Sequence, residues 1–468
     1  LAILYVNARD DLVIDPELLR RFERPGPRYT SYPTADRFVE AFGPDQYRVA
    51  LSNRAVGGIA RPLSLYVHLP FCNTLCYYCG CNKIITKDHG RSAKYLKYLA
   101  REMRLVTGVI GPGRRLEQLH LGGGTPSFLS RAELTELVDS IGEHFRFVQD
   151  GEYSIEVDPR SCDPDTVATL ARLGFNRISV GVQDVNPEVQ RAVNRMQPTE
   201  LSASVIRAAR ASGFKSVNLD LIYGLPKQSV VTFDDTLREV LLLEPDRIAL
   251  YNYAHLPTVF KPQRRIDEAQ LPSAEARFEI LAHAIRTLTF AGYVYIGMDH
   301  FARPHDELAT AQRRGRLHRN FQGYSTRAEC DLVALGISAI SGLPSAYSQN
   351  VKTLDEYYDR LDHGVFPVMR GIELTADDLV RRAVIQALMC HFQVSISAIE
   401  IAYLIDFERY FALELAGLRE YADLGLVTLE GDWISVTPRG RLIVRVISML
   451  FDRYLRESEQ RARYSKVI

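Results

Sequence analysis

From about residue 60 to 300 the chain carries two alternating rhythms of apolar and polar positions. Strand-like runs fall at 63–68, 116–121, 152–157, 176–183, 215–222, 247–254 and 293–298, where apolar residues tend to recur at every second position. Helical spacing occupies most of the gaps between them, at 91–107, 131–146, 163–173, 199–212, 229–243 and 272–290. Ser130-Arg131-Ala132-Glu133 is a capping box that predicts where the second of these helices starts. Strand and helix in turn predict a parallel sheet with helices outside it.

The strands are two-faced. In 152–158, Tyr153, Ile155 and Val157 oppose Glu152, Ser154, Glu156 and Asp158. In 176–183, Ile178, Val180 and Val182 oppose Arg177, Ser179, Gly181 and Gln183. In 216–221, Val217, Leu219 and Leu221 oppose Ser216, Asn218 and Asp220, and in the first strand Tyr66 and His68 share a face opposite Leu65 and Val67. Strands of a doubly wound open sheet would be apolar on both faces, and a closed eight-stranded barrel fills its interior with Val, Ile and Leu. Converging polar faces predict instead an α/β fold of wider, incompletely closed barrel type, built from six strand–helix units around a polar cavity.

After residue 300 the rhythm breaks. The stretch 303–325 is polar and irregular, and 331–341 is expected to add one more inner segment. From about 370 helical spacing takes over, at 375–390, 396–405, 407–424 and 439–458, with Gly425 placed to cap the third of these. A hairpin-like run at 426–436 interrupts them. Helices followed by a small hairpin resemble a winged-helix arrangement, whose default meaning here is a cap on the barrel. The expected organisation is an N-terminal extension over 1–60, a barrel over 61–345 and a mainly helical C-terminal domain over 346–468.

Composition narrows the function classes. A chain of 468 residues, 46% hydrophobic and 24% charged, has room for a large catalytic domain and a smaller one. Lys plus Arg and Asp plus Glu both total 57, so no global positive field draws the chain to nucleic acid or to a membrane surface. No apolar run approaches the ~20 residues of a membrane span. The opening Leu1-Ala2-Ile3-Leu4-Tyr5-Val6 is too short for a signal segment and lacks a basic start. A cytoplasmic location is expected.

Candidate chemistry is concentrated in one loop. Four of the seven cysteines fall within ten residues, Cys72-Asn73-Thr74-Leu75-Cys76-Tyr77-Tyr78-Cys79-Gly80-Cys81, directly after the first strand. Thiolates this close together point to a metal or a cluster. A structural zinc site would use four Cys or His ligands, usually as two separated pairs, and the chain has no second CxxC and no HxxxH. Disulfides are less expected still, because Cys162, Cys330 and Cys390 stand singly. A CxxxCxxC spacing lets Cys72, Cys76 and Cys79 hold three irons of a [4Fe–4S] cubane and leaves the fourth open. That is the fingerprint of the radical S-adenosylmethionine (SAM) enzymes. Cys81 is tight for a further corner of the same cubane and reads as a thiol behind the cluster or on the substrate side.

Further motifs follow in order. Leu121-Gly122-Gly123-Gly124-Thr125-Pro126 ends the second strand, where glycines allow close approach of a ligand and offer N–H groups to a carboxylate. Glu156 and Asp220 sit near the ends of polar strand faces, the usual place for functional residues in barrels; an ion pair with a neighbour such as Arg177 is the plain alternative. Arg195, taken singly, reads as a solvated helix-end charge. Pro25-Gly26-Pro27-Arg28-Tyr29-Thr30-Ser31-Tyr32-Pro33-Thr34 is rigid and non-helical. Its two Tyr, Arg and hydroxyls suit a segment folded over a cavity better than a linker.

From about Arg24 to the C-terminus the chain resembles the oxygen-independent coproporphyrinogen III oxidase family of haem biosynthesis. The resemblance is carried by PGPRYTSYPT (25–34), YVHLPFC (66–72), CxxxCxxCGCNK (72–83), LGGGTPS (121–127), SIEVDPR (154–160) and GVQDVNPEVQRAVNR (181–195). It continues in NLDLIYGLPKQ (218–228), NYAHLP (252–257), GMDHFARPHDEL (297–308) and HRNFQGYST (318–326). The resemblance implies a radical SAM barrel with a cluster on Cys72, Cys76 and Cys79, and two SAM molecules per chain. Tyr66, Tyr78, Gly123, Glu156 and Ile340 would line the SAM at the open iron; Gly124, Thr125, Gln183, Arg195, Asp220 and Ala254 would hold the second. Glu156, Tyr66 and the thiol of Cys81 are the candidate catalytic residues. Position 78 is Phe in many relatives and position 121 is Trp in some.

The implied reaction turns two propionates of coproporphyrinogen III into vinyl groups, with loss of CO₂, through a SAM-derived 5′-deoxyadenosyl radical. The implied partners are the substrate, whose carboxylates basic residues such as Arg28 would pair with, and an external electron donor of flavodoxin or ferredoxin kind; no nucleic acid or membrane is expected, and the chain is expected to be a monomer. A haem-binding chaperone of the same superfamily is the rival, but such relatives usually lack the fourth cysteine and the PGPRYTSYPT segment. An iron–sulfur regulator using 370–468 on DNA would need a basic footprint that the balanced charge does not offer.

Overall fold

The computed structural model describes residues 12–56 and 59–457; the opening apolar run and Ser458 lie outside them. Six strand–helix units follow the alternating rhythms. Strands β1 (Leu63–Leu69), β2 (Arg114–Gly123), β3 (Phe145–Val157), β4 (Arg177–Gln183), β5 (Ser216–Tyr223) and β6 (Arg247–Asn252) lie parallel and side by side in chain order. The helices between and after them are α1 (His89–Ile110), α2 (Arg131–His144), α3 (Pro164–Arg172), α4 (Thr199–Ala211), α5 (Val230–Leu242) and α6 (Ala274–Phe290).

Each helix buries one stripe. In α1 this comprises Tyr95, Leu96, Leu99, Met103, Val106 and Ile110, at three- and four-residue spacing. It joins the apolar strand faces in one core, where Leu65, Val67, Ile155, Val180 and Leu219 have no exposed surface. Each such side chain contributes roughly 1.5–3 kcal/mol. Ser130 and Glu133 form the expected capping box at the start of α2.

The seventh expected strand departs from the series. β7 (Val294–Gly297) does not pair with β6; β8 (His300–Ala302) lies between them, antiparallel to both. The chain reverses at Gly297 and Met298, both at positive φ (140° and 51°), which folds β8 back onto β6. On the other side, β9 (Asp331–Leu335) pairs in parallel with β1, so the expected inner segment makes a seventh parallel strand. β10 (Ile340–Leu343), β11 (Ala346–Asn350) and β12 (Val368–Glu373) extend the sheet antiparallel. β7 and β12 are the edges of this twelve-stranded sheet and do not pair with one another, so the barrel stays open. The boundary expected at 345 falls inside the β10–β11 hairpin, and the barrel sheet runs on to Glu373.

Beyond it lie α7 (Ala376–His391), α8 (Ile396–Tyr403) and α9 (Ala412–Asp423). With them is a small sheet of β13 (Gln393–Ser395), β14 (Val427–Glu430) and β15 (Trp433–Val436), in the order β13-β15-β14. Gly425, at φ 69°, caps α9 as expected. The helix expected over 407–424 is broken at Phe411 (φ −108°, ψ 28°), whose buried ring packs on Phe407 and Phe451. The one expected over 439–458 is a series of short turns. Its buried Asp452 accepts from the Tyr29 hydroxyl, and Arg445 donates to the carbonyls of Gly26 and Pro27. The PGPRYTSYPT segment is therefore fastened to the C-terminal part, with Val39 bridging to Gly371 on β12.

Candidate active site

The register aligns the polar faces into rows across the sheet. Tyr66 stands opposite His120, His120 opposite Ser154, Glu156 opposite Ser179, Ser179 opposite Asn218, and Gly181 opposite Asp220. At the ends of these strands a cavity of about 280 Å³ is lined by Cys72, Cys76, Cys79 and Cys81. The same cavity is lined by Tyr78, Gly123, Gly124, Thr125, Glu156, Gln183, Arg195 and Asp220. A second cavity of similar size shares Cys81, Gly123 and Glu156 with it and adds Tyr66 and Ile340. Ala254 is the exception among the expected site residues: it lines a third cavity, beyond β6.

The cysteine loop is held from several sides. The N–H of Tyr77 donates to the Val193 carbonyl (3.0 Å), and the Asn194 amide to the Leu75 carbonyl (2.7 Å). Gln263 Nε2 donates both to the Tyr78 carbonyl (3.0 Å) and to the Ala254 carbonyl (3.2 Å). Lys83 Nζ donates to the Cys79 carbonyl (3.1 Å), and the Thr125 hydroxyl lies 3.2 Å from Cys72 Sγ. Gly124 has no room for a side chain, since a Cβ would stand 2.6 Å from the Pro70 carbonyl oxygen. The N–H groups of Gly123 and Gly124 are engaged within the chain, on Glu156 Oε2 (3.3 Å) and the Leu69 carbonyl (2.8 Å). The glycine run thus shapes the wall and orients Glu156, where the sequence suggested free donors for a ligand.

Arg195 is not the solvated charge that its sequence position suggests. It is 6% exposed, pairs with Asp158 (3.1 Å), donates to the Gly181 carbonyl (2.7 Å) and reaches within 3.6 Å of Cys76 Sγ. Arg160 also pairs with Asp158 (2.6 Å) and lies 3.5 Å from the same sulfur. Burial opposes the charge of Asp158, but the two guanidiniums hold its carboxyl below the ordinary value. Arg177, the plain alternative partner for Glu156 or Asp220, pairs instead with Glu307.

The two expected carboxylates sit in different fields. Burial opposes the ionisation of Glu156, yet its bonds to His120 Nε2 (3.2 Å) and the Gly123 N–H hold it below the usual range. Asp220 has only neutral hydrogen-bond partners, the Ser179 hydroxyl (2.8 Å) and the Asn218 amide (2.9 Å), and burial with the nearby Glu156 charge pushes it up to about 6. A carboxylate without a cation, beside a second carboxylate, suits a ligand that brings positive charge. Gln183 adopts a left-handed backbone (φ 68°) at the rim, a conformation that costs about 1–3 kcal/mol and gathers at binding sites.

The chemistry of the donors fits a cluster better than one ion. Among the described residues, the one group of at least three Cys, His or carboxylate donors lying within 4.8 Å of one another is Glu117, Glu329 and Cys330. Among the described residues, no three thiols of the loop lie within 4.8 Å of one another, wider than a tetrahedral ion with bonds of about 2.3 Å would draw three ligands. Burial pushes Cys162, Cys330 and Cys390 up to about 12, so they are inert thiols. Beyond the expected set, the structure adds His68, His120, Asp158, Arg160 and Gln263 to the site. His68 Nε2 lies 2.9 Å from the Asn82 carbonyl, which can only accept, so Nδ1 accepts from the Tyr66 hydroxyl (3.1 Å). Asp158 was readable, since strand alternation puts it on the Glu156 face. Gln263 was not, because nothing in its local sequence says which carbonyl it reaches.

Comparison with known proteins decides the family. The chain is 51% identical to the oxygen-independent coproporphyrinogen III oxidase of Pseudomonas aeruginosa, over 98% of this chain and 100% of that one. The chain belongs to the oxygen-independent coproporphyrinogen III oxidase family. The Escherichia coli protein of that name is 48% identical over 97% of this chain and 98% of its own. A solved structure described as coproporphyrinogen III oxidase (HemN) from E. coli, a radical SAM enzyme, superposes with a TM-score of 0.90 at 47% identity. It covers 95% of this chain and 100% of its own. The model of the radical SAM superfamily matches residues 66–240 and that of the HemN C-terminal domain residues 374–443. The family carries with it a [4Fe–4S] cluster and SAM, and the open barrel expected from the strand faces is its fold. Among the described residues no helix is long and apolar enough to cross a membrane.

Proposed function

We propose that this chain is an anaerobic coproporphyrinogen III dehydrogenase, which converts two propionate side chains of its substrate to vinyl groups and yields protoporphyrinogen IX. The observation that carries the reading is one cavity that joins the CxxxCxxC loop to the carboxylates of Glu156 and Asp220, in a chain half identical to named oxidases over its length. Cys72, Cys76 and Cys79 would hold the cluster. Two SAM molecules would be held, one by Tyr66, Tyr78, Gly123, Glu156 and Ile340, the other by Gly124, Thr125, Gln183, Arg195 and Asp220, while Ala254 lines the adjoining cavity beyond β6. When bound, cluster and SAM together supply a 5′-deoxyadenosyl radical that takes a hydrogen atom from the β-carbon of a propionate.

The chain's residues supply position and charge. Arg160 and Arg195 aim N–H groups at Cys76 Sγ and stabilise negative charge there. Glu156 is kept ionised by its fixed donors and suits an ammonium group; Asp220 gives a second cationic ligand its partner. The Asn82–His68–Tyr66 hydrogen-bond chain fixes the phenol against the second cavity. Cys81 borders both cavities, which supports a role on the substrate side. An external one-electron donor of flavodoxin or ferredoxin kind would start each round, and a one-electron acceptor would take the electron that the propionate radical gives up as CO₂ leaves and the vinyl group forms. The enzyme works as a cytoplasmic monomer with all seven cysteines free of disulfides. The full retention of the fourth cysteine and of the 25–34 segment favours this reading over a haem chaperone.

The test is anaerobic reconstitution with iron and sulfide, followed by SAM, dithionite and coproporphyrinogen III, with porphyrins separated by chromatography. Protoporphyrin after oxidation is the expected product. Haem binding without any vinyl product would favour the chaperone instead.

A further inference from the structure

The third cavity, of about 300 Å³, lies beside the C-terminal end of β6 and reaches the N-terminal segment and the C-terminal part of the chain. Its wall begins at Ala254, which Gln263 ties to the carbonyl of Tyr78 on the cysteine loop, so it adjoins the cluster cavity. Tyr223, Tyr295 and Phe301 give it flat apolar walls, and three arginines, Arg28, Arg277 and Arg445, line it. The Tyr223 phenol lies in the field of all three guanidiniums.

The three cations differ in what they are free to do. Arg28 is matched by Asp299. Arg445, 5% exposed, spends donors on the carbonyls of Gly26 and Pro27. Arg277 is half-buried on α6 and packs against Gly224. Among the described residues its guanidinium makes no hydrogen bond or ion pair of its own, although Glu275 lies in its field and Glu23 and Glu275 line an adjoining cavity with it. Beside it, Asn252 Oδ1 is buried with no donor. A free guanidinium and an orphaned acceptor between aromatic walls match a flat ring that carries both a carboxylate and an N–H.

We propose that this cavity anchors the tetrapyrrole through a ring that is not under attack, with Arg277 pairing with its propionate and Asn252 Oδ1 accepting from its pyrrole N–H. The inference rests on the coproporphyrinogen reading given above. That substrate carries four carboxylates and loses two, so two propionates need a partner throughout both rounds. Walls of aromatic and aliphatic side chains with few fixed polar groups are what a cofactor-sized ring requires.

The reconstituted enzyme and its Arg277→Ala, Arg277→Lys and Arg277→Glu variants would be titrated anaerobically with coproporphyrin III, by fluorescence, and with its tetramethyl ester. KM for coproporphyrinogen III would be measured alongside. The expected result is a loss of about tenfold in tetracarboxylate affinity for Arg277→Ala, more for Arg277→Glu, and a smaller loss for Arg277→Lys, since a charge-assisted pair is removed, reversed or kept. The ester should bind the wild type and Arg277→Ala alike. Equal tetracarboxylate affinity and KM in wild type, Arg277→Ala and Arg277→Glu would overturn the anchor, as would an equal loss for the ester. Failure of the wild type to bind any tetracarboxylate would instead strike at the substrate reading itself. The half-exposed position of Arg277 lets the variants fold, which retention of the cluster absorbance would report.

Discussion

The cluster cavity and the cavity beyond β6 adjoin, yet they are built in opposite ways. The first is assembled from consecutive strand ends, where each residue's orientation follows from its place in a two-residue alternation. The second takes Arg28 from the N-terminal segment, Arg277 from α6 and Arg445 from a stretch 418 residues from its partner Pro27. Their charge is opposite too. The first holds Glu156 and Asp220 while its guanidiniums are committed to Asp158; the second holds a guanidinium left over. One region is suited to cationic cofactors and the other to an anionic substrate.

The largest effect that would break this division concerns the cysteines. Cys76→Ser should lose the iron–sulfur absorbance and all SAM cleavage, whereas Cys390→Ser should keep both and lose only about 1 kcal/mol of stability, because Gln386 can receive the hydroxyl. Full iron content in Cys76→Ser would contradict the assignment. Cys81→Ala should retain four irons yet lose turnover; loss of the cluster in that variant would make Cys81 a ligand.

Stability separates the arginines of the two regions. Arg195→Met removes a 6%-exposed partner of Asp158 and should cost about 3 kcal/mol, the lower end for a broken buried pair because Arg160 remains. Arg277→Ala should stay within about 0.5 kcal/mol. Urea midpoints of the two variants would read the difference, and equal midpoints would remove it.

The pH dependence of SAM retention gives the smallest effect. Asp220, pushed up to about 6 by burial and by Glu156, keeps its proton in the ligand-free chain at lower pH. A cationic ligand favours the ionised form, so retention at the second site should rise as pH climbs through about 6 and level off above it. Asp220→Asn should bind less and show no such rise. The ligand-free fold has the opposite sign: Asp220 favours it fully below the ordinary carboxylate value near 4 and loses that contribution as pH passes about 6. Glu156 and Asp158, both held below their usual values, contribute above that range and lose it in acid. Equilibrium binding of labelled SAM across this range would show a flat profile if Asp220 belonged to barrel structure alone.

How much was legible follows from the range of each interaction. The six strand–helix units, the capping box at Ser130 and the polar faces rest on neighbours within one element, and all are found where periodicity put them. The insertion of β8 between β6 and β7 was not legible, because it depends on a reversal at Met298 that no pattern marks. Arg195 taken singly reads as solvated because its burial is created by Gly181 on the strand before its loop and by Asp158 after the neighbouring strand β3, contacts that local pattern does not show. The long C-terminal helix failed where Arg445 and Asp452 turn inward to fasten the N-terminal segment. Alternation tells which way a side chain points; it says nothing of what arrives from elsewhere in the chain.

The most direct measurement uses coproporphyrinogen III deuterated at the propionate β-carbons, turned over anaerobically with SAM and a reductant, with the 5′-deoxyadenosine analysed by mass spectrometry. The account predicts one deuterium in each 5′-deoxyadenosine and two such molecules for every protoporphyrinogen formed. Vinyl product accompanied by deuterium-free 5′-deoxyadenosine would contradict it.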